Sequence, residues 1–391
     1  MFVLLSGLLA AAASGLLLSH FLGTPRAARQ APSLHVIPLT PWTGIGATRR
    51  VCRFRLQSRD PDLAISGLQA HVEAFGLDAL PRPSLRAAVR LGFGDDLPLQ
   101  AVRQLAGSEL LVELDLAGES LDRRGLHAAT IDLQWQTYGR TGWLSGGTTL
   151  VVPLGHPTKP LLPMAIPSGT VLALPTRLVV PGDDLAAIIA GITAGRTRPG
   201  DCLAISESAL AIAQDRLVWP RWASSPGTWA RGLSKLFPVA SSLATAHGMQ
   251  AAISEAGLPR LLLAILLGGL AKLFRIPGVF YRLAGWRVAV IDDVGGNLTP
   301  FDRAIVLAPR APEAFVNEIA RRCGTQAAVV DANALGVRVL AATPGVDLER
   351  LKLALAANPH GNGIERTPVV RVRWADSPSD ESPREREGAT C

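Results

Sequence analysis

The sequence predicts a mixed α+β or α/β chain in three parts: an apolar amino-terminal helix, a small antiparallel β-sandwich, and a larger region of alternating strands and helices. Three observations predict this. Residues 1–23 contain no Lys, Arg, Asp or Glu, and the first charge is Arg26. Residues 34–155 fall into short runs in which apolar and polar side chains alternate, the mark of half-buried strands. From residue 171 onward, apolar strand-like runs alternate with helical patterns.

The first element, residues 1–23, is long enough to cross a bilayer: about 22 residues at ~1.5 Å each reach roughly 33 Å. Arg26, Arg29, Arg49 and Arg50 all follow it, so the positive-inside bias predicts a single-pass membrane anchor with the globular part on the cytoplasmic side. A cleaved signal peptide is the alternative. Residues 24–33 read as a linker, and 34–155 as the sandwich, with RRVCRFRLQS, ELLVELDLAG, ATIDLQWQTYG and GTTLVVPL as strands. Four prolines in 155–170 mark a boundary, and the second domain is placed at 165–374. Within it, VLALPTRLVV, CLAIS, RVAVIDD, AIVLAP, QAAVVDA, VRVLAAT and PVVRVR read as strand-like, whereas DDLAAIIAGITAG, PEAFVNEIARRCG and VDLERLKLALAANP read as helices. LLLAILLGGLA (261–271) is too short to cross a membrane and reads as a buried helix, with a shallow membrane-dipping helix as the alternative. Residues 375–391, charged and rich in Ser and Pro, read as a disordered tail.

Composition narrows the function classes. At 391 residues with 48% hydrophobic and 18% charged side chains, the chain is neither wholly disordered nor fibrous. Its 39 Lys and Arg against 32 Asp and Glu give a net charge of +7, which suits a membrane face or nucleotide phosphates. The basic residues form no aromatic-interleaved stripe, so a nucleic-acid partner is set aside. The four cysteines lie far apart and suggest neither a metal knuckle nor a disulfide framework.

Candidate chemistry sits in the second domain. Asp292 and Asp293 end the run RVAVIDD ahead of Gly295 and Gly296, and Asp331 ends another apolar run. Acids at strand ends beside a Gly-rich loop suit a hard divalent cation and a phosphate, since ligands collect at the carboxyl ends of strands in α/β sheets. Asp and Asn also begin ordinary turns, and that reading stays open for all three. In 179–218, Gly182 supplies a turn, Asp183 or Asp184 can cap the next helix, and Pro199, Gly200 and Asp201 turn into a strand. Helix capping and turn geometry alone would account for these residues. The loop NPHGNGIE (358–365) carries Asn358 and Asn362 after an amphipathic helix; it can receive an anion or simply reverse the chain.

The stretch 179–218 resembles the opening signature of the coenzyme F-420-0:gamma-glutamyl ligase family (the CofE-like domain). Gly182, Asp183, Asp184, Leu185, Gly200, Asp201, Glu207, Ala213 and Arg216 match that signature, while Ser208, Ala211, Gln214 and Asp215 depart from it. SSLATAHGMQ, AKLFRIPGVFYRLAG, IDDVGGNLTPFD, VVDANALG and NPHGNGIERTPVV are similar to the longer, membrane-anchored, cyanobacterial-type subgroup of that family. The resemblance implies a GTP-dependent ligase that joins L-glutamate to a deazaflavin phospholactate or related acid through an acyl phosphate. It also implies Mg²⁺ or Mn²⁺, K⁺ as an accessory ion, and a homodimer. Nucleotide or substrate contacts are then expected from Asp183, Asp184, Glu207, Arg216, Asn358 and Asn362, and metal contacts, on the separate strand-end argument, from Asp292, Asp293 and Asp331. The four departures make a non-catalytic, membrane-tethered binding or assembly protein of the same fold the alternative.

Overall fold

The computed structural model describes residues 34–45, 49–58, 64–76, 87–93, 109–116, 126–139, 142–155, 162–333, 336–361 and 366–375. The predicted anchor, the linker and the tail beyond Ala375 lie outside the described residues.

Among the described residues, the regular elements of the first part are strands: β1 (Leu34–Pro38), β2 (Thr43–Ile45), β3 (Arg49–Ser58), β4 (Ala64–Gly76), β5 (Ala87–Phe93), β6 (Glu109–Leu116), β7 (Leu126–Gly139) and β8 (Gly142–Pro153). One sheet runs β1-β3-β6-β5 with β2 alongside β3; the other runs β4-β7-β8, and every pairing is antiparallel. The predicted alternation is visible in β3, where Cys52, Phe54 and Leu56 are buried and Arg53, Arg55 and Gln57 are exposed. From β6, Leu110, Val112 and Leu114 join the same core, and Ala129, Ile131, Leu133 and Leu150 of the second sheet close it. Two sheets sharing one apolar layer follow directly from the period-two pattern.

The second part holds a six-stranded mixed sheet of β9 (Met164–Ile166), β10 (Gly169–Leu174), β11 (Cys202–Ser206), β14 (Gln326–Asn333), β15 (Gly336–Ala342) and β16 (Val369–Trp374), ordered β15-β14-β11-β16-β10-β9. Only β11 and β14 pair in parallel. One face is covered by α1 (Leu185–Thr193), α2 (Glu207–Ala213) and α8 (Pro312–Cys323), through Leu185, Ile189, Leu210, Val316 and Ile319. The other is covered by α9 (Leu348–Leu355), through Leu351, Ala354 and Leu355. Both faces being buried, the strands read as continuous apolar runs such as CLAIS. Gly182 turns the chain into α1 with φ +86°, and a Cβ there would lie 2.5 Å from Pro38 Cγ, so only glycine fits against β1.

Between β12 (Leu217–Val218) and β13 (Ile305–Val306), which pair with each other, the chain builds a helical layer of α3 (Thr228–Leu233), α4 (Ala246–Ala256), α5 (Leu258–Leu273), α6 (Val279–Ala284) and α7 (Trp286–Ala289). Here two expectations are corrected. RVAVIDD opens as helix rather than strand, because Val288 and Ile291 are drawn into the helical core beside Leu243 and Met249. AIVLAP contributes only the two residues of β13. The stretch 261–271 is helical as expected, but only Leu261 and Ala264 of α5 are buried. α4 and α5 meet at 110° across Gly257, and no single helix among the described residues is long and apolar enough to cross a membrane.

The two parts are fastened together. Ala128 and Val151 of the sandwich share a core with Leu178, Val180, Ile212 and Phe301. The His127 imidazole donates from Nε2 to the Thr299 carbonyl at 2.9 Å, Arg303 pairs with Glu73 at 2.6 Å, and Trp222 Nε1 donates to Thr149 Oγ1 at 2.8 Å. The Trp222 ring lies against Gly147, where a Cβ would stand 2.5 Å from Cζ3 and 2.8 Å from the Leu133 carbonyl. Gly147→Ala is therefore expected to lower stability by about 1–3 kcal/mol through overpacking, read as a reduced urea midpoint; an unchanged midpoint would mean that Trp222 moves away without cost.

Candidate functional site

The parallel pairing of β11 with β14 builds the site. Its register aligns Cys202 with Gln326 and ends with Ser206 opposite Val330. One residue further along, the two strands deliver Glu207 and Asp331 at the same carboxyl-terminal edge. Ser206 leaves its strand in an extended conformation and caps α2, so Glu207 occupies the first turn of that helix. Asp292 arrives from the opposite side. Its amide donates to the Val306 carbonyl at 3.0 Å and its carbonyl accepts from the Val306 amide at 2.9 Å, which fixes the start of the 292–302 loop.

These three acids open on one cavity of about 260 Å³, also lined by Ser208, Asn297, Arg177, His360 and Arg366. The Ser208 hydroxyl donates to Glu207 Oε2 at 2.7 Å and lies 3.4 Å from Asp292 Oδ2. Asn297 Nδ2 donates to that same Asp292 oxygen at 3.1 Å. Burial raises the Glu207 carboxyl well above the usual range, and the negative charges of Asp292 and Asp331 add to it. Burial likewise pushes Asp292 from 3.8 up to about 6; the Asn297 and Ser208 hydrogen bonds oppose the rise and Asp331 reinforces it. Like charges gathered out of water carry this cost unless a proton or a cation relieves it.

His360 belongs to the same cavity. Its Nδ1 donates to the Thr367 carbonyl at 3.2 Å, its Nε2 has no hydrogen-bond partner, and burial lowers its pKa to about 4. It is therefore a neutral ring whose Nε2 lone pair can accept from a ligand.

Carboxylate, hydroxyl and amide oxygens are the donor types that a hard divalent cation takes. The fit is one of chemistry rather than arrangement: among the described residues, no group of three or more His, Cys, Asp or Glu is set to hold a metal ion. The larger cavity, about 600 Å³, lies between the sandwich and residues 215–223 and is lined by none of the acids expected to bind metal.

The other expected residues divide clearly. Asp293 adjoins Asp292 but does not line the cavity; its carboxylate accepts from the Val294 amide at 2.8 Å. Asp183 accepts from Arg177 at 2.7 and 2.8 Å and from the Val180 amide at 2.9 Å. Asp184 caps α1 by accepting from the Ala187 amide at 2.9 Å. Arg216 donates to Glu255 at 2.5 Å and to the Ala308 carbonyl at 2.9 Å. Asn358 turns the chain with φ +48° and donates to the Gly361 carbonyl at 3.3 Å. Asn362 lies outside the described residues. Sequence reasoning missed Ser208, Asn297 and His360 as site residues. His360 stands inside the quoted loop NPHGNGIE, and its residue type was the signal available.

No family model and no curated protein matches the chain. Among solved structures, the GAE domain of GGA2p from Saccharomyces cerevisiae aligns with 31% of this chain and 99% of that chain, at 7% identity and a TM-score of 0.20. A likeness of that size carries no argument about fold or activity.

Proposed function

We propose that the chain is a GTP-dependent amide-forming ligase with a CofE-like second domain, working at the cavity bounded by Glu207, Asp292 and Asp331. The observation that carries this reading is the convergence of three carboxylates from separate stretches of chain, two of them held in place by Ser208 and Asn297. In the reaction, the γ-phosphoryl group of GTP passes to a carboxylate oxygen of the acceptor acid and GDP leaves. The amine of L-glutamate then forms a bond to the acyl carbon, inorganic phosphate leaves, and the amine surrenders a proton. Glu207, Asp292 and Asp331 would hold a divalent cation if one binds, and it would supply charge neutralisation for the transferred phosphoryl group. Glu207, whose carboxyl burial raises well above the usual carboxylate range, is the cavity group suited to exchange a proton with the amine. The neutral His360 offers its Nε2 to a donor on the nucleotide or acid. Attachment to a membrane through residues 1–23, a cytoplasmic orientation and K⁺ assistance belong to the same proposal.

A second reading is favoured by a specific observation. Gln214, one of the departures from the family signature, exchanges two hydrogen bonds with the Arg310 backbone, at 2.6 and 2.9 Å. Arg216 and Asp183, which match the signature, are likewise engaged within the fold. A non-catalytic binding protein would keep the cavity and lose turnover.

Titrating GTP into the chain by calorimetry, with and without Mn²⁺, and following phosphate release on adding L-glutamate and an acceptor acid, tests both. Mn²⁺-dependent GTP heat with glutamate-dependent phosphate release is the expected result for the ligase. Binding without phosphate release would leave the second reading, and no heat at all would remove both.

A further inference from the structure

We propose that α5 and the turn after it form a docking face for an anionic phospholipid bilayer. Leu263, Leu266, Leu270, Leu273 and Phe274 of this face are each 48–79% exposed. At ~100° per residue they fall, with Leu267, within an arc of about 120°, opposite the buried Leu261 and Ala264. The helix is thus apolar on two faces, one closed by the helical core and the other turned to solvent. A continuous apolar ridge of this kind marks a binding surface.

Charge identifies the occupant. From 216 to 291 the sequence holds nine Lys and Arg against a single acid, Glu255. That acid is already neutralised: its oxygens meet Arg216 at 2.5 Å and Arg287 at 2.9 Å, and its side chain is buried. On the same helical count Arg260 sits at the edge of the ridge, about 20° beyond Leu267, Lys272 lies on the far side of α5, Arg275 follows in the turn and Arg282 is on α6; all four are exposed, and no carboxylate of the helical layer opposes them. A second copy docked here would set cation against cation. An anionic lipid surface takes the leucines between its headgroups and the cations at its phosphates, as interfacial helices do. Trp286, 41% exposed just beyond this face, suits the headgroup level. The sixteen residues of α5 are too short to span, so the helix lies in the interface plane. This inference rests on α5 and its charges, independent of the acidic cavity and of residues 1–23.

The test places an environment-sensitive nitrobenzoxadiazole probe at Leu270→Cys in the full chain, with Cys323→Ser and Cys391→Ser. Cys52 and Cys202 can stay, since both are buried and burial pushes their thiols up to about 12. Vesicles of phosphatidylcholine with phosphatidylserine should shift the probe emission to the blue and shield it from iodide, and vesicles of phosphatidylcholine alone should not. The double charge reversal Arg260→Glu/Arg275→Glu should lose the response. A probe that stays unshifted while the chain sediments with anionic vesicles would overturn the proposal. A shift that appears without lipid and grows with protein concentration would overturn it too, because it would make the occupant another copy.

Discussion

Asp292→Asn should make the protein more stable at pH 8 by about 2–3 kcal/mol, and leave stability near pH 4 unchanged. The Asp292 carboxyl rises from 3.8 to about 6 in the folded chain. The stability present in full below pH 3.8, where the carboxyl is neutral in both states as an asparagine would be, is lost as pH climbs through 6 at about 1.36 kcal/mol per pH unit, and leaves a penalty relative to a neutral side chain. Asparagine removes the ionisation while its Oδ1 still accepts from Asn297, so the penalty disappears and Glu207 is relieved of one negative neighbour. The same variant should lose Mn²⁺-dependent GTP binding. Urea midpoints at pH 4 and pH 8, taken with calorimetry, read both effects. A gain in stability paired with a loss of ligand is the pattern of a charge kept for function. A variant that is destabilised at pH 8 would show that Asp292 serves the fold.

Asp183→Ala carries the second large effect, a loss of about 3–5 kcal/mol. The Asp183 side chain is 1% exposed and holds the Arg177 guanidinium and the Val180 amide, so truncation leaves a partly buried cation and an orphaned donor. Asp183→Asn, which keeps an acceptor, should lose less. Equilibrium urea unfolding measures this directly. Should the midpoints stay put while GTP binding vanishes, the residue would be a ligand contact and its bonds to Arg177 incidental. Arg177 also lines the acidic cavity, so the first consequence of Asp183 loss for ligand binding would pass through a released guanidinium.

The fold was legible where periodicity is unambiguous. Alternation in RRVCRFRLQS places Cys52, Phe54 and Leu56 in the sandwich core, and the Asp184 cap marks the start of α1. RVAVIDD was not, because a short apolar run satisfies either period, and the choice was made by the helical core that receives Val288 and Ile291. At the site, Asp292 and Asp331 could be picked out as acids near strand ends, and Glu207 only through the signature that it matches. Their meeting depends on β11 and β14 lying side by side in parallel, a long-range pairing that no local pattern encodes. Asp293 looked equivalent to Asp292, but only one of two successive residues faces the cavity. Ser208 and Asn297 matter solely through which oxygen they reach, and that information is three-dimensional.

The grip of the sandwich on the 292–302 loop has an evolutionary consequence. His127 holds the Thr299 carbonyl, and Ala128 packs in one core with Phe301, so the stretch bearing Asp292 and Asn297 is braced by a neighbour lying far upstream in the chain. The two halves are poor candidates for shuffling. A gene fusion or deletion that exchanged the sandwich for another spacer would keep every acid and unseat the scaffold that aims one of them.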